Sequence, residues 1–105
     1  MSAAPKSAHE IETAYINELA RHAPMSITVM SRMVGPLGGD NPSLVDVLHV
    51  LKFGEVVMSD MRGSLGLWTV FGTTTDDIDL ELYLVVNSKE CNATLVKIEE
   101  RTRSE

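Results

Sequence analysis

The sequence predicts an α+β fold in which two to three N-terminal helices pack on one face of a four-stranded antiparallel sheet. Three observations carry that expectation. Apolar residues recur at helical spacing as far as Phe53, they alternate at strand spacing from Glu55 onward, and the two regimes meet at Gly54. Helices first and strands after is the α+β order, because a parallel sheet would need strands and helices to alternate. The 105 residues form one domain, and 44% of them are hydrophobic, enough to fill a core. Residues 1–6 and 99–105 are expected to fray as chain ends do.

The first helix begins at the SAHE segment, where Ser7 and Glu10 have capping-box spacing. Ile11, Tyr15 and Leu19 form its apolar stripe with Ile16 beside it, and Pro24 closes it. A short second helix over residues 26–34, capped by Ser26, is expected, since Ile27, Met30, Val34 and Leu37 would lie on one helical face; ITVM also alternates weakly as a strand. Residues 35–42 are a loop rich in Gly and Pro. Ser43 or Asn41 caps a third helix over 43–53 with Pro42 near its first turn. Its stripe is Leu44, Val47, Leu48 and Leu51, widened by Val45 and Val50. Gly54 ends it, most simply as a left-handed residue.

Four strands follow: EVVMSD, LWTVFGT, DLELYLVVN and ATLVKIE. The turns between them are short enough for a meander of antiparallel neighbours. Leu80, Leu82, Leu84 and Val86 should face the helices, with Asp79, Glu81, Tyr83 and Val85 on the opposite side.

Charge and composition narrow the functions. The net charge is −6, and it is uneven: residues 1–54 hold five acids and four bases, residues 55–105 ten acids and five bases. Phosphate binding needs cations to displace counterions, so this balance disfavours nucleic acid and favours a basic protein as partner. No apolar run reaches the ~18 residues of a membrane span, and MSAAPKSAHE lacks the apolar core of a secretory signal. One cysteine, Cys91, fits a reducing, cytoplasmic setting. A homodimer through an edge strand is the remaining expected association.

The candidate sites are few. Asp46, His49 and Lys52 are successive i+3 neighbours on the third helix, which reads as a solvated flank with a weak Asp46–His49 contact of about 0.2–0.5 kcal/mol. Asp76, Asp77, Asp79 and Glu81 are the densest carboxylates; on a strand Asp77, Asp79 and Glu81 share a side with Tyr83, which suits an acidic docking surface. The segment lacks the glycine and distal glutamate of a calcium loop. His9, His22 and His49 have no second His or Cys at metal-ligand spacing, Glu18 and His22 read as a helix-end pair, and no cofactor motif is present. Cys91 is expected in a turn without a neighbouring base, and Trp68 in the core or half-buried on the sheet.

From Leu44 to Ile98 the order is a helix ending in G-E-V-V, a strand, a strand closing on F-G, a polar hairpin, the L-x-L-x-L-V-V strand and T-L-V-K-I. This resembles small bacterial domains of unknown function whose layout is similar to the RelE and MqsR type of mRNA-cleaving toxins. Such domains carry a Ser-x-His-Ala segment before the helix; Met30-Ser31-Arg32-Met33 keeps the serine and an arginine but has no histidine. The resemblance implies a metal-independent ribonuclease, or a degenerate relative, using His49 or Lys52, Arg62, Tyr83 and Lys97 for proton transfer and phosphate stabilisation. The residues themselves favour a different expectation: a non-enzymatic protein-binding module that meets a basic partner through Asp77, Asp79, Glu81 and Tyr83.

Overall fold

The computed structural model describes residues 9–36, 39 and 41–101. Helix α1 spans Glu10–His22, strand β1 Ile27–Thr28, helix α2 Leu44–Phe53, and strands β2 to β5 span Glu55–Arg62, Leu65–Thr73, Asp79–Asn87 and Asn92–Arg101. The α+β class holds, with the four expected strands as an antiparallel meander. A fifth strand makes the sheet mixed: the order is β1-β5-β4-β3-β2, and β1 lies parallel to β5.

That fifth strand replaces the expected second helix. Residues 26–34 contain Ile27–Thr28 as strand and Ser31–Met33 as a 3-10 turn, after another such turn at Pro24–Ser26. Ile27 is buried opposite Ala93. Pairing with β5 satisfies the backbone there, and a short segment gains more from a tertiary partner than from a costly helix nucleus.

Both helices bury narrower stripes than their sequences suggest. In α1, Ile16 and Ala20 are fully buried, Tyr15 and Leu19 pack at the core margin, and Ile11 is 82% exposed. The helix begins at Glu10 with His9 as N-cap and no side-chain cap; Ser7 lies outside the described residues. In α2, Val47, Val50 and Leu51 are buried, whereas Leu44, Val45 and Phe53 are exposed. Ser43 caps α2 in a reciprocal box with Asp46.

The inner sheet face completes the core. Leu80, Leu82, Leu84 and Val86 are fully buried, joined by Val56, Val70, Trp68, Ala93 and Leu95. Helix α1 also holds the α2–β2 junction. The Asn17 side-chain amide donates to the Leu51 and Gly54 carbonyls at 2.7 and 3.2 Å, Arg21 donates to the Lys52 carbonyl at 3.1 Å, and Thr13 Oγ1 accepts from the Val56 amide at 2.8 Å. The Leu51 and Lys52 carbonyls, in the last turn of α2 where no partner exists within the helix, are thereby paired.

Gly54 is not left-handed. Its φ of −83° and ψ of −171° are extended and open to any residue. Glycine is required there by proximity: a Cβ would stand 2.5 Å from the Phe71 carbonyl oxygen and 2.6 Å from that of Val50. Finally, β5 continues through Arg101, so Glu99–Arg101 are strand; residues 102–105 lie outside the described residues.

Candidate functional site

With the inner face filled by the core, exposed chemistry concentrates on the outer face. The strand register sets it in cross-strand rows. Leu67 stands opposite Asp60 and Val85; Thr69 stands opposite Met58 and Tyr83, which is opposite Lys97; Glu81 stands opposite Phe71 and Glu99; Asp79 stands opposite Thr73 and Arg101. Bulges at Val57 and Val96 turn further apolar side chains outward at the margins.

The two ends of this face differ. Toward the β2–β3 hairpin it is apolar: Met58, Leu65, Leu67 and Val85 are exposed, by 58%, 50%, 51% and 38%. A shallow depression between Leu65, Leu67 and Val85 has Asp60 and Arg62 on its rim. The hairpin itself is a two-residue turn, Gly63–Ser64, with Gly63 at φ 67°.

Toward the β3–β4 turn the face is charged and internally bonded. Tyr83 Oη donates to Glu81 at 2.9 Å and lies 3.3 Å from Glu99. Arg101 pairs with Glu81 at 3.1 Å, Lys97 with Glu99 at 3.1 Å, and the Lys97 ammonium sits 5.4 Å from the Tyr83 ring centroid. The hydrogen bond to Glu81, then desolvation and the charges of Glu81 and Glu99, push the Tyr83 phenol up to about 12. The bond from Lys97 holds the Glu99 carboxyl below its ordinary value. Asp79 accepts from Thr73 Oγ1 at 2.7 Å.

Asp77 does not share that side, contrary to the expectation from strand spacing. It lies in the turn before β4 at φ 68°, a conformation Asp tolerates. Buried Thr74 organises this turn: its hydroxyl accepts from the Asp76 and Ile78 amides, both at 3.2 Å.

The helix trio separates into structural roles. Asp46 spends its carboxylate on the α2 cap, accepting from the Ser43 amide at 2.9 Å, so the expected Asp46–His49 contact gives way to the cap. His49 packs against Phe53 with the rings tilted by 50° and their centroids 4.9 Å apart, and Arg21 covers the same Phe53 ring at 5.1 Å. His49 and Lys52 therefore belong to the helical layer, whereas Arg62, Tyr83 and Lys97 belong to the outer face. The sheet lies between the two groups. Elsewhere, Glu18 and His22 pair at 3.5 Å, Trp68 is 5% exposed with its indole N–H on Met61 Sδ, and Cys91 is exposed in a turn.

Known protein families, curated proteins and solved structures return no match to this chain. The reading of the site rests on its own chemistry. Among the described residues no group of His, Cys, Asp and Glu is arranged to hold a metal ion, and no helix is long and apolar enough to cross a membrane. Leu65, Leu67, Met58 and Val85 are the site residues that charge-based reading missed. The signal was present as hydrophobic residues at outward positions of β2, β3 and β4.

Proposed function

We propose that this chain is a non-enzymatic protein-binding module whose outer sheet face receives a partner with an apolar patch and a basic rim. The observation that carries the reading is the adjoining of an exposed apolar cluster, Leu65, Leu67, Val85 and Met58, to the acidic end, where Asp79, Glu81 and Glu99 outnumber Lys97 and Arg101. Interfaces combine an apolar centre with a polar rim in this way, and charge on the rim steers encounter more than it adds affinity.

The face is a poor match for itself. Stacked with strands antiparallel, two copies would set the apolar end of one on the acidic end of the other. Stacked with like ends together, they would oppose carboxylate to carboxylate. A different chain avoids both conflicts. The ribonuclease reading gains nothing from the geometry, because its candidates His49 and Lys52 on α2 and Arg62, Tyr83 and Lys97 on the outer face stand on opposite sides of the sheet.

The test is affinity capture on the immobilised chain, with Leu67→Asp and Glu81→Lys variants alongside. The reading expects a protein retained by wild type, lost on Leu67→Asp, and released faster from wild type as salt rises. Equal retention on wild type and Leu67→Asp, or no retained protein, rejects it.

A further inference from the structure

We infer that the open edge of β5 pairs with the same edge of a second copy, giving a two-fold dimer whose sheets are continuous. The argument starts from what covers β5. On one side it pairs along its length with β4. On the other, β1 reaches only Ala93 and Thr94. Among the described residues, no further strand lies beside Leu95 to Arg101 and no loop backbone hydrogen-bonds to it. The opposite sheet edge is less accessible, since α1 closes on β2 through Thr13 to Val56 and through His9 and Glu12 to Ser59. A row of unpaired amides and carbonyls is a template for another strand.

Sequence along the open edge names the occupant. The window Leu95–Arg101 has Ile98 at its centre, flanked by Lys97 and Glu99. An antiparallel pair related by a two-fold axis at Ile98 is centred on this window, with its clean pairing on the C-terminal side of the Val96 bulge. It sets Lys97 of each copy opposite Glu99 of the other, on the outer face, and Ile98 opposite Ile98 on the inner face. Shifting the register by one step of the pleat in the direction that avoids the Val96 bulge sets Glu99 against Glu99 and Lys97 against Arg101. The register centred on Ile98 is thus the one whose charges complement each other. Opposite charges across a strand pair are favourable and like charges unfavourable, and a two-fold contact doubles each. Ile98 is half-buried at the margin of the core, so the pairing extends the core across the axis. Val96, displaced by the bulge, limits the clean pairing to the central residues, which makes this a reversible dimer rather than an obligate one.

The contact shares Lys97 and Glu99 with the charged end of the outer face but leaves the apolar cluster of Leu65, Leu67, Val85 and Met58 free, so Leu67→Asp, which tests the binding function proposed above, should leave the dimer unchanged. Sedimentation over a concentration series, with Lys97→Glu, Glu99→Lys and the Lys97→Glu/Glu99→Lys double variant, reads the register directly. Each single variant places like charges at both contacts and should weaken the dimer by at least about tenfold. The double variant should recover it, and mixing the two single variants should give a heterodimer in which both contacts are again opposite in charge. Amide exchange in Leu95–Arg101 should slow as concentration rises. A wild-type chain that stays monomeric through millimolar concentration overturns the inference. So does a dimer that ignores the charge swap, or one that forms without slowing exchange in β5.

Discussion

The inner and outer faces of the sheet are built by the same strands, yet they answer different demands. On β4 the inward residues Leu80, Leu82, Leu84 and Val86 are all fully buried, and no polar side chain interrupts them. The outward residues Asp79, Glu81, Tyr83 and Val85 alternate with them and are each held differently: by a threonine, an arginine, a pair of carboxylates and an exposed leucine neighbour. One face is a packed interior, where volume decides. The other is a surface where charges are matched pair by pair and apolar side chains remain uncovered. That contrast separates residues kept for folding from residues available for contact.

The comparison breaks most visibly if truncation costs the same on both faces. Leu82→Ala, in the fully buried row, should destabilise by about 2–5 kcal/mol in urea unfolding, while Leu67→Ala, half exposed on the outer face, should stay within about 0.5 kcal/mol. Equal losses would mean that the outer face is not a free surface. Next in size is Gly54→Ala. The added Cβ meets two backbone carbonyl oxygens that cannot rotate away, and the cost should be about 1–3 kcal/mol. A neutral result would show that α2 and β3 can part at this point.

Smaller still, Ser43→Ala removes the acceptor for the Asp46 amide and should cost about 1 kcal/mol. The finest probe is the outer-face network. The Tyr83 phenol is raised to about 12 from an ordinary value of 10.0, so it binds its proton more tightly folded than unfolded. Its contribution to stability is fully present below pH ~10 and is lost as pH rises toward about 12. Tyr15 is raised as well, by burial first. An ultraviolet titration should therefore show little phenolate at pH 10, and Tyr83→Phe should remove the step near 12. A normal titration at 10 would mean that the bond from Tyr83 to Glu81 does not persist in solution.

Much of the architecture was legible because it is local. Period-2 alternation in DLELYLVVN identified the buried row, Gly63-Ser64 fell between two alternating runs, and Ser43 stood at capping distance before an apolar stripe. The candidate site was legible only in part. Glu81 and Tyr83 were placed on the correct face from spacing alone, but Arg101 and Lys97 become their partners through the β4–β5 register, in which a bulge at Val96 shifts the pairing. Counting charges along the chain therefore overstated how acidic the face is.

By itself the sequence determined the α+β class, the four-strand meander and which side of β4 is buried, since each follows from residue periodicity and short turns. Tertiary structure alone decided the rest. Strand β1 is two residues whose only reason to extend is a parallel neighbour far along the chain. Gly54 is glycine because two backbones approach there, not because of its own dihedral angles. The sheet also divided the proposed catalytic set, with His49 and Lys52 on α2 and Arg62, Tyr83 and Lys97 on the outer face. Such outcomes depend on which distant atoms arrive nearby, and nothing within a few residues of each position encodes that.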